Sequence, residues 1–217
     1  MYWELTVINA FDLFGTFIFA LTGAVKGVRC KLDILGVVVF ACTVGCGGGM
    51  FRDMLIGATP AAVLVSSSYI LICVVTGLLV FFLAPKIVGR WPLILYADAL
   101  GLGVFTALGC AKGALWGLSP VGQVLSGMFS AVVGGVVRDV LSRSVPTVLT
   151  SDFYATASLI GAVAYLLLAK TPLGLFELFL IVTAIVFFLR VLAIKLKINL
   201  PVADTALPVD DHLTMRD

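Results

Sequence analysis

Two runs in the chain set charge beside bare backbone. One is Gly45-Cys46-Gly47-Gly48-Gly49-Met50-Phe51-Arg52-Asp53-Met54-Leu55, and the other is Gly134-Gly135-Val136-Val137-Arg138-Asp139-Val140-Leu141. The offset between them, 139 − 53, is 86 residues. Each puts an arginine and an aspartate one helical turn after a glycine cluster, inside a long apolar stretch. Glycine in a helix interior costs about 1 kcal/mol relative to alanine. A charged side chain in a bilayer-spanning helix costs about 2.5–3.5 kcal/mol on insertion scales. A chain that carries both costs twice, at matching positions, points to a use for them. Clustered glycines expose backbone carbonyls and amides, and such groups are tolerated at membrane depth only where they face protein or a water-filled cavity. The chemistry implied is coordination and passage of a small solute.

The 217 residues are 61% hydrophobic and 12% charged. That balance fits an all-α membrane protein with many spans, since a soluble domain of this length needs far more polar surface. The unbroken apolar runs differ from the alternating segments of a β-barrel. A net charge of +2 gives no sign of nucleic acid as a partner. The cysteines, Cys30, Cys42, Cys46, Cys73 and Cys110, are odd in number and read as small buried hydrophobes rather than a disulfide framework. Cys42 and Cys46 share a helix face with no further ligand in sequence reach. His212, the only histidine, lies near the C-terminus. No cofactor and no resident metal is expected, only transient K+ or Na+. Nor is an enzyme, because the membrane segments carry no histidine and no nucleophile–base pattern. Glu4 and the lack of basic residues ahead of the first apolar run argue against a cleaved signal peptide.

About 20 apolar residues cross a bilayer. By that rule seven helices are expected, at 5–26, 33–57, 62–84, 92–112, 119–141, 150–169 and 173–194. They make a transmembrane domain over 1–196, with a polar cytoplasmic tail at 197–217. Basic residues in short loops set orientation. Lys26, Arg29, Lys31, Lys86, Arg90, Arg143, Lys195 and Lys197 fall on one side, against Lys112 and Lys170 on the other. The expectation is an N-terminus outside and a C-terminus inside.

Residues 12–60 align without gaps to 98–146, with 15 identities in 49 positions. The identities include Asp12/Asp98, Lys26/Lys112, Gly48/Gly134, Gly49/Gly135, Arg52/Arg138, Asp53/Asp139 and Pro60/Pro146. Equivalent residues are separated by three helices, so the second copy is inverted. Repeat 1 spans about 5–84 and repeat 2 about 92–169, with the helix at 173–194 added. Inverted repeats with interrupted helices at the midplane are a recurring plan for moving solutes.

Gly47, Gly48, Gly49, Gly134 and Gly135 therefore fall near the midplane and are expected to kink or break their helices beside a narrow polar passage. Gly15, Gly23, Gly101, Gly103 and Gly109 fit close helix contact instead. Arg52 and Asp53 are neighbours, about 100° apart on a helix, so each is expected to find its partner elsewhere. Asp12 is the expected partner of Arg52 in one half of the membrane, and Asp98 of Arg138 in the other, with Asp139 alongside. These pairs either fasten helices together or frame two vestibules. Lys26 and Lys112 end their helices near opposite surfaces and either snorkel or line the path. Thr16, Thr43, Thr106 and Ser130 are the candidate hydroxyls.

These residues resemble the trimeric intracellular cation channel family in its bacterial branch, over about 5–195. The resemblance rests on seven helices, the inverted 3+3+1 plan, and the paired signatures at Gly47–Asp53 and Gly134–Asp139. It implies a homotrimer with one hourglass pore per protomer. It also implies kinked second and fifth helices flanking that pore, and potassium preferred over sodium. Val133 stands where the first copy has Gly47, so the two halves of the constriction should differ. The same domain is often called a glycine transporter.

The expected function is thus a passive monovalent cation channel in a bacterial inner membrane, with cations and membrane lipid as partners. Arg52 and Arg138 are acceptable beside a cation path if the aspartates neutralise them. One alternative is a secondary transporter of glycine or another small amino acid, binding the carboxylate at a half-helix N-terminus. Another is a membrane scaffold in which midplane Gly→Ala changes affect only assembly.

Overall fold

A computed structural model describes residues 2–87, 91–150 and 153–196. The expected tail, together with Arg90, Lys197 and positions 151–152 of the expected sixth helix, lies outside the described residues. Within them the chain is all α-helix. Seven long helices are α1 (Tyr2–Arg29), α2 (Ile34–Leu55), α4 (Ser67–Ile87), α5 (Trp91–Leu115), α6 (Pro120–Leu141), α8 (Tyr154–Leu168) and α9 (Leu175–Leu196). Two single turns, α3 (Ala62–Val65) and α7 (Thr147–Thr150), precede α4 and α8. Six of the long helices are long and apolar enough to cross a membrane. α8, with 15 residues, spans only about 22 Å at 1.5 Å per residue.

The expected third helix is therefore two pieces. A non-helical Ser66 separates the turn α3 from α4. α7 and α8 repeat this arrangement in the second copy. The expected fifth helix is α6, and the expected sixth is shortened to α8.

Local chemistry repeats with the fold. Asp33 caps α2 by accepting from Gly36 N (2.7 Å), and Ser119 caps α6 by accepting from Gly122 N (3.2 Å). These are equivalent positions, 119 − 33 being 86. The turns after α1 and α5 carry left-handed backbone at Lys31 and Gly117 (φ 57° and 71°). The turns after α2 and α6 do so at Gly57 and Arg143 (φ 75° and 55°). In both pairs one copy has glycine and the other a long basic residue.

Packing follows a pseudo-twofold. α1 packs on α2 and α4, as α5 packs on α6 and α8. The copies meet through α2 on α6 and α1 on α5. Phe19 and Phe105, themselves equivalent, stack across the axis with centroids 5.2 Å apart and rings 10° from parallel. α9 lies on α5 and α8 alone among the larger contacts, so α5 is the most enclosed span and α4 the least.

Candidate functional site: two charge clusters at opposite ends of an inverted repeat

α2 and α6 are continuous helices through their glycine clusters. Neither helix is interrupted there, and the glycines serve close approach. A Cβ on Gly48 would overlap the Ser130 carbonyl oxygen, and one on Gly134 would stand 3.0 Å from the Val44 carbonyl oxygen. Ser130 and Val44 are themselves equivalent, 130 − 44 being 86. Each copy thus inserts a glycine against the other copy's backbone. Gly47 is unlike its neighbours: only Val137 Cγ2, at 3.9 Å, comes near.

Gly49 and Gly135 do different work. They sit three residues before an arginine, and the guanidinium folds back over them. A Cβ would lie 3.5 Å from Arg52 Nη2 in one copy and 3.8 Å from Arg138 Nη2 in the other. Both distances are ordinary contact, and at Gly135 the tighter neighbour is the Tyr154 hydroxyl, 2.9 Å from such a Cβ.

The arginines then bridge two carboxylates. Arg52 Nη2 donates to Asp12 Oδ2 (3.0 Å) and Arg52 Nε to Asp53 Oδ1 (2.9 Å). Arg138 Nη1 donates to Asp98, and Arg138 Nε to Asp139 Oδ1 (3.0 Å). The cross-helix pairs Asp12–Arg52 and Asp98–Arg138 match the sequence expectation. The expectation that Arg52 and Asp53 stay apart does not hold. The arginine stem turns back along the helix far enough for Nε to meet the next residue's carboxylate, leaving the terminal nitrogens for the neighbouring helix.

The free oxygens of the second carboxylates organise the single-turn helices. Asp53 Oδ2 accepts from Ala62 N (2.9 Å), the first residue of α3. Asp139 Oδ2 accepts from Thr147 N (2.8 Å) and Thr147 Oγ1 (2.6 Å), at the start of α7. One motif thus ties together α1 or α5, α2 or α6, and the turn that follows.

The two clusters lie at opposite ends of the fold and are not in the same state. Lys112, from the second copy, points into the first cluster, with Nζ 2.9 Å from Asp12 Oδ2 and 3.5 Å from Asp53 Oδ1. It does not snorkel, because two buried carboxylates outweigh the nearby surface as partners for its ammonium. The space within the cluster is small: Asp12, Thr16, Arg52, Asp53 and Tyr69 border a cavity of only about 10 Å³. A larger space of about 200 Å³ opens just beyond it, against Asp53, Gly57–Pro60, Lys112 and Trp116. Lys26, the equivalent of Lys112, donates instead to Ser144 Oγ (3.4 Å) and makes no ion pair among the described residues. The second cluster has more room, with Lys26, Asp98, Arg138, Asp139, Ser144 and Arg190 around a cavity of about 170 Å³.

The candidate hydroxyls scatter. Thr16 borders the first cavity. Thr43 Oγ1 donates to the Val39 carbonyl of its own helix (2.8 Å). Thr106 is held in the α5–α8 contact by Leu102 O and Ser158 Oγ (both 2.7 Å). Ser130 Oγ is buried and makes no hydrogen bond among the described residues. Cys73 of α4 joins the α2 cysteines, with its sulfur 3.7 Å from Cys46 Sγ. The five glycines expected to serve close contact do so: a Cβ on Gly15 would meet Phe105, on Gly23 the Phe40 carbonyl, on Gly101 Phe19, on Gly103 the Thr183 carbonyl and on Gly109 the Ser126 carbonyl.

Tyr69, Tyr154, Ser144, Thr147 and Arg190 also belong to these sites; the gapless alignment pairs Ser144 with Ala58 and does not reach the others. Allowing one deletion after Pro146 changes the offset to 85 (154 − 69) and pairs Tyr69 with Tyr154 and Val63-Leu64 with Val148-Leu149. Tyr69 borders the first cavity. The Tyr154 hydroxyl lies over Gly135, and Arg190 stands 5.0 Å from its ring centroid.

The family described as glycine transporter matches the chain twice, at residues 9–85 and 95–170. A membrane protein of Vibrio cholerae is 36% identical over 162 residues, covering 74% of this chain and 67% of its own. The inner membrane protein YadS of Escherichia coli is 33% identical, over 71% of this chain and 75% of its own. Among solved structures, a trimeric intracellular cation channel orthologue from Rhodobacter sphaeroides is 32% identical with a TM-score of 0.84, covering 89% of this chain and 100% of that one. The chain is therefore a multi-pass membrane protein that belongs to the trimeric intracellular cation channel family, under the family description glycine transporter.

Proposed function

We propose that this protein is a passive channel for monovalent cations, potassium foremost, with one path in each protomer of a homotrimer. The observation that carries the reading is the pair of charge clusters at opposite ends of the inverted repeat, each opening onto a polar cavity. Each arginine is matched by two aspartates, so cations meet carboxylates rather than bare guanidinium. The similarity to a solved cation channel at 32% identity supports the same function. The path we propose skirts the α2–α6 crossing, because the backbones touch there. The excess of basic loop residues supports an N-terminus outside and a cytoplasmic tail at 197–217.

A carrier for glycine or another small amino acid is the second reading. It is favoured by the family description and by the inverted repeat, a plan that carriers share.

Both readings are tested on purified protein in lipid bilayers. Unitary currents reversing near the potassium potential under asymmetric KCl establish the channel. Saturable uptake of radiolabelled glycine into liposomes, without such currents, establishes the carrier and removes the channel.

A further inference from the structure

A further cavity, of about 260 Å³, lies apart from both charge clusters, where α1 and α9 begin and α5 and α8 end. Ile8, Ala111, Ala114, Tyr165 and Leu175 line it, with the exposed Glu4 beside them. Small-ligand sites run to about 300–1,000 Å³ and are mostly apolar, with a few placed polar groups. This cavity is near the lower bound, and its polar groups are the Glu4 carboxylate and the Tyr165 phenol.

The repeat shows why the space exists. Ile8 has its counterpart in Ile94, and both are buried. Ala111 and Ala114 stand where the first copy has Val25 and Val28, since 111 − 25 and 114 − 28 are 86. Tyr165 stands where it has Val80, at the offset of 85 that holds after Pro146. Val25 and Val80 are enclosed in the core of the first copy, and Val28 packs against it. The second copy replaces two of these valines by alanine and so gives up their methyl groups. α9, which has no counterpart, adds Leu175 as a further wall.

Tyr165 is only 5% exposed, yet its hydroxyl makes no hydrogen bond among the described residues. A buried phenol ordinarily finds a partner. Its donor is therefore left for whatever fills the cavity. Depth narrows the choice. Trp3 precedes Glu4 and Trp116 follows Leu115, and both indoles are exposed. Exposed tryptophans gather at the headgroup level of a bilayer. At that level the apolar walls suit an acyl chain, the phenol suits a phosphate or ester oxygen, and the carboxylate suits an ammonium. An ethanolamine headgroup brings N–H donors that pair with a carboxylate. Choline has no N–H, and an anionic headgroup meets Glu4 as a like charge.

We propose that this cavity binds one phosphatidylethanolamine from the leaflet at the α1 N-terminal end. Its ammonium rests on Glu4, a phosphate or ester oxygen accepts from the Tyr165 hydroxyl, and an acyl chain enters between α1, α5, α8 and α9. The inference holds whether the protein is a channel or a carrier.

The test is native mass spectrometry of the full-length protein, delipidated in detergent. It is titrated with phosphatidylethanolamine, phosphatidylcholine or phosphatidylglycerol carrying the same palmitoyl and oleoyl chains. One phosphatidylethanolamine per chain is expected, bound roughly tenfold more tightly than the others, the worth of a charge-assisted hydrogen bond. Glu4→Gln should remove that preference. Tyr165→Phe keeps the ring and should weaken binding roughly two- to tenfold, the worth of a neutral hydrogen bond. Ala114→Phe puts a ring into the cavity from an exposed position and should abolish the bound lipid. If that variant fails to fold, Ala111→Val with Ala114→Val restores residues the first copy already carries, and should weaken binding in the same direction. Equal binding of the three lipids overturns the proposal. So does a bound phosphatidylethanolamine that survives filling of the cavity, since the lipid then sits elsewhere. Neither result bears on the channel or carrier readings, which currents and uptake decide.

Discussion

Gly48 of α2 rests against the carbonyl of Ser130 in α6, and Gly134 of α6 rests against the carbonyl of Val44 in α2. This reciprocal contact brings the two inverted copies together at backbone distance. It gives the three glycines of the first cluster separate duties. A methyl group at Gly48 meets backbone, which has no rotamer to yield, whereas at Gly47 it meets only Val137 Cγ2 at 3.9 Å. Gly48→Ala is expected to cost about 1–3 kcal/mol, as overpacking of a tight interface does. Gly47→Ala should be neutral or slightly favourable, since alanine is the better helix former. Thermal unfolding of the two variants in detergent checks this. Equal stability would mean that the crossing is looser than described.

A second expectation concerns the buried ions of the first cluster. Arg52 is almost wholly enclosed, with Asp12 and Asp53 on either side. Removing one member of such a group leaves an uncompensated charge, and this typically costs about 3–5 kcal/mol, whereas replacing the group by apolar residues is often neutral. Arg52→Met should therefore be far more damaging than Arg52→Met combined with Asp12→Leu, which leaves Lys112 opposite Asp53 and the group neutral. Arg138→Met should be damaging as well, because Asp98 and Asp139 lose the guanidinium they share. Denaturation midpoints of the four proteins give the comparison.

How much of this was legible in the chain depends on what each feature needs. The inverted repeat, the cross-helix pairs and the all-helical membrane class follow from identities such as Asp12/Asp98 and Arg52/Arg138, and long apolar runs expose them directly. The Arg52–Asp53 contact was hidden because residue spacing on a helix fixes where Cβ points, not where a long arginine stem ends. The glycine runs left a related choice open. Exposed backbone serves a break or a close crossing equally well, and only the neighbouring helix decides between them. Tyr69 and Tyr154 were lost to a single deletion in the alignment. The Lys26 contact with Ser144 involves one hydroxyl in a loop, a signal too small to read before the cluster is seen.

Asp53 has a third partner whose loss can be followed locally. Its Oδ2 accepts the first amide of α3, at Ala62. A turn of four residues has little stability of its own, since helix nucleation is unfavourable. Asp53→Asn keeps an acceptor oxygen but weakens the charge-assisted bond, and Asp53→Ala removes it. Faster amide exchange across 62–66 is expected in Asp53→Ala, with a smaller rise in Asp53→Asn. Exchange in the core of α5, represented by Leu102 to Leu108, should change far less in Asp53→Asn. Unchanged exchange at 62–66 would mean that packing, not this carboxylate, holds the turn.

The last expectation uses the repeat against itself. The turn after α2 has its left-handed residue at Gly57 (φ 75°), and the equivalent turn after α6 has Arg143 (φ 55°). The turn after α5 has Gly117 (φ 71°), and the one after α1 has Lys31 (φ 57°). An L-residue in this region costs about 1–2 kcal/mol relative to the right-handed helix, and glycine does not bear that cost. Gly57→Ala and Gly117→Ala should therefore lower stability by about that amount. Space is not the obstacle, because a Cβ at either glycine has nothing within 4 Å. Lys31→Gly and Arg143→Gly should be neutral or stabilising, since the relief of strain offsets the extra freedom of the unfolded chain. Measuring all four by thermal unfolding separates backbone strain from charge. Lys31→Ala and Arg143→Ala remove the same charges but keep the Cβ, so they should gain nothing. If the alanine and glycine variants at Lys31 behave alike, the left-handed backbone there carries no strain.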